Sequence, residues 1–324
     1  MTAQNKIEIV MTGPLMAYAA DQLKARFTVH ELWKEQDRGA ALAAVKDRVR
    51  GVAGGGAHVR IDDALFDALP KLEVVSNFGV GYDNVDATAA GKRGILVTNT
   101  PDVLTDEVAD LAIGLLLATV RQLPQVDRYL RAGKWLSGAY PLTTSLRKRK
   151  IGIVGLGRIG KAVARRLEAF DVPIAYHGRS RQTDVAYRYY PSLVEMAADV
   201  DTLVSVAPGG DSTYHIINAE VLKALGPNGI VVNVGRGTVI DEQALIEALK
   251  SKTILSAGLD VFEDEPRVPA ELIAMDHIVL LPHVGSASVH TREQMGQLLV
   301  DNLVSWFDGK GPLTPVAETP WTKA

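Results

Sequence analysis

From Ile151 to Leu167 the chain reads "IGIVGLGRIGKAVARRL": a short apolar run, three glycines at positions 155, 157 and 160, and an amphipathic stretch. No other segment constrains the fold so tightly. The apolar run has the pattern of a buried strand and the amphipathic stretch that of a helix. Each glycine then serves a distinct purpose. Gly155 permits the tight turn, Gly157 leaves the backbone open to close approach, and Gly160 lets helix and strand pack together. The exposed N–H groups and the dipole at the start of such a helix favour phosphate.

The same alternation runs almost from end to end. Strands are predicted at "KIEIVMTG", "RGVAGGG", "LEVVSNFG" and "ILVTNT", then at "IGIVGLG", "PIAYHG", "TLVSVAP", "GIVVNVG", "SAGLDVF" and "HIVLLP". Between them lie helical patterns such as 15–26, 162–170, 194–198 and 242–249. Apolar strands alternating with helices argue for parallel sheets covered on both faces. Most of these strands run into glycine or a polar turn at their carboxyl ends, the edge where open α/β sheets bind ligands. Two sheets are expected, linked by a long helix within "TPDVLTDEVADLAIGLLLATVRQ", with Pro101 near its start. A last amphipathic helix, "SASVHTREQMGQLLVDNLVSWFDG", carries no mark of which sheet it covers, and the tail after it reads as irregular.

Composition narrows the class. A length of 324 residues suits about two domains, and 47% hydrophobic residues support a full core. A net charge of −3 gives no bulk drive toward nucleic acid or membrane. There is no cysteine, which excludes disulfides, zinc-thiolate sites and thiol catalysis and fits a cytoplasmic protein. The opening "MTAQNKIEIVMTGPL" lacks the pattern of a signal peptide, and "VADLAIGLLLATV" is too short to span a bilayer. The run "RKRK" at 147–150 reads as a solvated turn before a strand rather than an anion-binding patch.

In a dinucleotide-binding unit, an Asp or Glu at the end of the second strand, about 20 residues on, holds the adenosine ribose. Here that strand ends "IAYHGRSRQ", with Arg179, Ser180 and Arg181 where the acid belongs. A carboxylate would repel a ribose 2′-phosphate, whereas two guanidinium groups and a hydroxyl offer it charge-assisted donors. The loop therefore predicts NADP(H), with NAD(H) as a weaker cofactor.

Three further strand ends stand out: "VVNVGRG" with Arg236, "LDVFEDEP" with Asp260 and Glu265, and "LLPHVG" with His283. Singly, each has an ordinary structural explanation. In this order after the glycine turn, together with "SNFGVGYDNVD", "VTNTPDVLTDEVADLAIGLLLA" and "GRGTVIDEQALIEAL", they resemble the D-isomer-specific 2-hydroxyacid dehydrogenase family. The similarity covers nearly the whole chain. Within the family it is nearest the glyoxylate/hydroxypyruvate reductases and plant-type hydroxyphenylpyruvate reductases, through "YRYYPSLVEMAADVDTLVSVAP" and "LLPHVGSASVHTREQM".

The resemblance implies two α/β domains, Rossmann-like and flavodoxin-like, with parallel sheets and a cleft between them. Residues 1–99 with 286–324 would bind substrate and 100–285 the dinucleotide. It implies a homodimer, with the helix from Asp106 and the "RAGKWLSGAYPL" arm at the interface. It also implies His283 as general acid, Glu265 as its hydrogen-bond partner, and Arg236 as the grip on the substrate carboxylate, with the N–H groups of Val80 and Gly81 completing that cradle. The cofactor would be held by Gly155, Leu156, Gly157, Arg158, Ile159 and Gly160, by Arg179, Ser180 and Arg181, and by Thr105, Pro208, Thr213, Val234, Asp260, His283 and Gly285. No metal, nucleic acid or membrane partner is expected. Two departures bear on this: Gly209 and Gly210 follow Pro208 where the family often has Leu-Thr, and the substrate-side loop "AGGGAH" at 53–58 offers almost no side chains. The activity implied is reduction of glyoxylate and hydroxypyruvate. A reductase of larger 2-keto acids such as hydroxyphenylpyruvate, and a corepressor-like protein that senses NAD(P), are the alternatives.

Overall fold

The protein is described by a computed structural model over residues 6–54 and 59–321, so the 55–58 part of the glycine-rich loop lies outside the described residues. Five strands, β1 (Glu8–Met11), β2 (Thr28–Glu31), β3 (Val49–Gly54), β4 (Val74–Asn77) and β5 (Leu96–Thr98), pair in the order β2-β1-β3-β4-β5. Seven more, β6 (Ile151–Val154), β7 (Ile174–His177), β8 (Arg188–Tyr190), β9 (Thr202–Ser205), β10 (Ile230–Asn233), β11 (Ser256–Leu259) and β12 (Val279–Leu280), pair as β12-β11-β10-β9-β6-β7-β8. Every pairing in both sheets is parallel. The first order is that of flavodoxin-like sheets, and the second is the Rossmann order extended by one strand. The two parallel-sheet domains expected from the alternation are therefore present.

Two compact units divide the chain, Met1–Leu104 with Ser288–Ala324, and Thr105–Ala287. The last helix, Val289–Phe307, returns to the first. Ser288 caps its start by accepting from the Thr291 N–H, and Gly309, at φ +73°, follows its end. Leu299, Val300 and Leu303 bury one face in a core with Ile9, Met11, Leu23, Val74 and Leu96, which settles what its own pattern leaves open.

In the second unit the helix Thr105–Arg121 buries Val108, Ala109, Ala112, Leu115 and Leu116 along one face, packing on β10, β11 and the helix Arg158–Glu168. Asp106 and Asp110 on its polar side pair with Arg165 and Arg166. The basic run is not uniformly solvated. Arg149 is buried, and its guanidinium donates to Asp201, to Thr202 Oγ1 and to the Asn228 carbonyl, tying the entry of β6 to that of β9. Among the described residues no helix is long and apolar enough to cross a membrane.

The three glycines after β6 differ in what the protein demands of them. Gly155 has φ +93°, a left-handed conformation that favours glycine. A Cβ on Gly160 would lie 2.2 Å from the Gly155 carbonyl oxygen, whereas one on Gly157 would have nothing within 4 Å. Gly157 also has an ordinary backbone conformation, φ −79° and ψ −159°. Gly160→Ala should therefore lower unfolding free energy by about 1–3 kcal/mol through overpacking, and Gly157→Ala by no more than about 1 kcal/mol as a weaker N-cap. Chemical denaturation of both variants checks this; equal losses would contradict it.

Candidate active site

The register of the seven-stranded sheet brings its strand ends into one row. Val154 pairs with His177 on one side and Ser205 on the other, Ser205 with Asn233, and Asn233 with Leu259. The next residues, Gly155, Gly178, Val206, Val234 and Asp260, begin the loops that carry the candidate groups.

Asp260 organises the 283–285 loop. Its main-chain carbonyl accepts from the His283 N–H at 2.8 Å, and its carboxylate accepts from Val284 N–H at 2.7 Å and Gly285 N–H at 2.8 Å. Three successive backbone donors thus converge on one residue that is 1% exposed. Burial pushes the Asp260 carboxyl above the ordinary carboxylate range, and the two N–H donors pull against that shift. With the loop so held, His283 adopts φ +54°, a conformation a side chain rarely takes. Its Nδ1 lies 2.6 Å from Glu265 Oε2, and Glu265 Oε1 in turn accepts from the Phe262 N–H at 3.0 Å. A carboxylate fixed by backbone fixes an imidazole, whose Nε2 on the opposite side of the ring has no protein partner among the described residues. That is the geometry of a positioned acid or base.

Arg236 leaves the sheet two residues beyond Val234, its guanidinium folded back to the Gly235 carbonyl at 2.9 Å. Asn233, fully buried at the end of β10, shapes this turn. Its Oδ1 accepts from the Gly235 N–H at 3.1 Å and its Nδ2 donates to the Arg236 carbonyl at 2.8 Å.

The glycine turn opens into the helix Arg158–Glu168, which has no side-chain cap and no acid in its first turn. Bare backbone donors at a helix start favour an anion. Arg179, Ser180 and Arg181 are exposed, and among the described residues neither arginine is in an ion pair. Cations left unpaired beside an anion-seeking turn suit a ligand with a phosphate besides its pyrophosphate, such as NADP(H), as does a Gly157 that nothing in the protein itself requires to be glycine. The Leu156 side chain is buried, so only its backbone faces out of the turn. In the loop with the two unusual glycines, the Thr213 hydroxyl donates to the Pro208 carbonyl at 2.7 Å, tying the loop shut. Thr105 begins the long helix.

Val80 and Gly81 belong to the first unit. The Gly79 carbonyl accepts from Thr100 N–H at 2.9 Å and the Val80 carbonyl from Asn99 Nδ2 at 2.8 Å. Carbonyl and N–H of a trans peptide point in opposite directions, so the N–H groups of Val80 and Gly81 both face away from Asn99 and Thr100. Neither donates to a protein acceptor among the described residues. Asn77 Nδ2 holds the Gly81 carbonyl at 3.1 Å. Two adjacent N–H donors without a protein acceptor suit an anion.

The structure thus brings Asp260, Glu265, His283 and Gly285 into one hydrogen-bonded group, and sets Gly155, Val234 and Arg236 on the same sheet edge. Asn77, Asn99, Thr100 and Asn233 are additions, and each works through a bond to backbone that no motif announces. Among the described residues no group of three or more His, Cys, Asp or Glu side chains is placed to hold a metal ion.

Residues 113–285 match the model of the D-isomer specific 2-hydroxyacid dehydrogenase, NAD binding domain. The chain belongs to this family of dehydrogenases. It is 47% identical over 310 residues to a glyoxylate/hydroxypyruvate reductase A of Arabidopsis thaliana, covering 96% of this chain and 99% of the relative. It is 48% identical, with the same coverage, to a hydroxyphenylpyruvate reductase of Plectranthus scutellarioides. Among solved structures it superposes with a TM-score of 0.92, at 49% identity and 99% coverage of both chains, on an NADPH-dependent glyoxylate/hydroxypyruvate reductase of Sinorhizobium meliloti in complex with NADP and malonate.

Removing the buried Asn233 side chain leaves a half-buried N–H and a half-buried carbonyl without their partner. Asn233→Ala should cost about 2–3 kcal/mol of stability, seen as a lower denaturation midpoint with unchanged slope; a midpoint equal to wild type would show that the turn holds without it.

Proposed function

We propose that the protein is an NADPH-preferring reductase of small 2-keto acids, taking glyoxylate to glycolate and hydroxypyruvate to D-glycerate. The observation that carries this reading is the bond between His283 and Glu265 at the carboxyl edge of a Rossmann sheet, in a chain 49% identical to an NADPH-dependent glyoxylate/hydroxypyruvate reductase. A bound NADPH supplies the hydride. His283 gives the proton at Nε2 to the ketone oxygen as that oxygen gains charge. Glu265 holds the ring by Nδ1 and so keeps Nε2 as the nitrogen that transfers. Arg236 grips the substrate carboxylate with its planar fork and polarises the carbonyl. The N–H groups of Val80 and Gly81, whose peptide carbonyls are held by Thr100 and Asn99, are donors of the kind a carboxylate takes. Asp260 acts through the 283–285 loop that it organises.

The Thr105–Ala287 unit is the dinucleotide-binding domain in this reading, and the unit containing Val80 and Gly81 is the substrate domain. The glycine turn and its helix take the pyrophosphate. Arg179, Ser180 and Arg181 take the 2′-phosphate, which favours NADPH while leaving NADH usable. The chain works as a homodimer. Its support is an apolar segment in which Leu136 and Leu142 stand about fully exposed (96% and 103%) and Trp135 stands 68% exposed, more apolar surface than a monomer ordinarily leaves to water. A cytoplasmic setting fits a sequence without cysteine. The 48% identity to a hydroxyphenylpyruvate reductase favours a second reading, in which the physiological acid carries an aryl side chain.

His283→Ala should lower kcat for glyoxylate with NADPH by about 10²–10⁴-fold while calorimetric titration still shows NADPH binding. A variant within a few-fold of wild-type kcat would refute the proton-donor role.

A further inference from the structure

The loop with Arg179, Ser180 and Arg181 leaves its three side chains in solvent, yet its backbone is pinned on both flanks. At its start, Tyr189 Oη donates to the Gly178 carbonyl at 3.2 Å. At its end, the Gln182 N–H donates to Tyr176 Oη at 2.7 Å, and the Gln182 side-chain Nε2 donates to the Leu156 carbonyl at 2.6 Å. Two residues further on, Asp184 pairs with Lys161 of the helix that follows the glycine turn, at 2.6 Å.

The tyrosines come from adjacent strands. Tyr176 on β7 pairs in register with Tyr189 on β8, and their rings lie 5.3 Å apart. Tyr176 is 1% exposed, so the hydroxyl that receives the loop belongs to a side chain packed in the core. Gln182 is therefore a bridge. Its backbone is fixed to the strand behind the loop and its amide to Leu156, inside the Gly155–Gly160 turn. The peptide whose carbonyl Gln182 holds is the one whose N–H is that of Gly157.

We propose that Gln182 is a positioning residue for cofactor discrimination: by joining the glycine turn to the cation loop, it fixes the distance between the site that takes the pyrophosphate and the cations that take the 2′-phosphate. This rests on the NADP(H) reading given above. The physical reason is entropic. Arginine side chains on a free loop must be ordered when they bind, and a loop already held at three points loses less on binding. Gln182 touches neither group of the ligand in this account. Its effect falls on the 2′-phosphate alone, because only that group needs the two elements in register.

The test is calorimetric titration of the full-length protein with adenosine 2′,5′-bisphosphate and with 5′-AMP, which differ at the 2′-phosphate. Gln182→Ala and, separately, Tyr189→Phe should weaken the bisphosphate about 3- to 10-fold, the worth of one hydrogen bond, and leave 5′-AMP within about two-fold. The Arg179→Ala, Arg181→Ala double variant serves as reference. If it loses its preference for the bisphosphate while Gln182→Ala and Tyr189→Phe keep theirs, the positioning role is wrong and the NADP(H) reading stands. Should the double variant keep the preference, the NADP(H) reading fails and the inference falls with it. Equal weakening of both nucleotides by Gln182→Ala and Tyr189→Phe would reveal a merely structural contact and also overturn the proposal.

Discussion

Parallel pairing in register is the constraint on which the second unit depends. Because Val154, His177, Ser205, Asn233 and Leu259 lie on one line across the sheet, all the chain's exits from these strands occur side by side. Parallel strands need crossovers, and the crossover helices cover the faces, so the strand ends are left as the open edge of the sheet. The glycine turn, the cation loop, the Arg236 turn and the Asp260 residue all start there. A slip of one residue in any of these pairings would turn that strand's side chains to the opposite face.

On that edge the candidate groups are held by backbone more than by one another. Asp260 collects three consecutive N–H groups of the His283 loop, and Glu265 is fixed by the Phe262 N–H before it reaches the imidazole. The left-handed conformation of His283 is sustained by this over-determination, as local strain at functional sites generally is. The first unit follows the same logic at Val80 and Gly81. There the side-chain amide of Asn99 and the backbone of Thr100 hold two carbonyls and so aim two donors.

Much of this was legible in the sequence, for physical reasons that also explain what was not. Central strands are buried on both faces and read as apolar runs, which is why β6, β9 and β10 stand out. The strands without such a signal, β2 ("TVHE") and β8 ("RYY"), are edge strands with polar or charged residues, as edges require. Gly155, Gly157 and Gly160 are visible because glycine in a strand–turn–helix context has few other uses, and Glu265 and His283 because whole motifs agree. Asn99, Asn233, Tyr176 and Gln182 were hidden. Each acts through hydrogen bonds to backbone, and polar residues at turns are too common to single one out. Arg149 looked like part of a solvated basic run because burial of a cation depends on acceptors, here near Asp201 and Asn228, that lie far away in sequence.

Cations replacing an acid at the end of β7 suit this member of the family to draw on NADPH. The most direct test is the initial rate of reduction of glyoxylate, hydroxypyruvate and hydroxyphenylpyruvate by the wild-type protein, with NADPH and NADH compared at equal concentration. Turnover should be faster with NADPH than with NADH, and the two small acids should run ahead of the aryl acid. Turnover with NADH alone, or dinucleotide binding without reduction of any of the three acids, would contradict this reading.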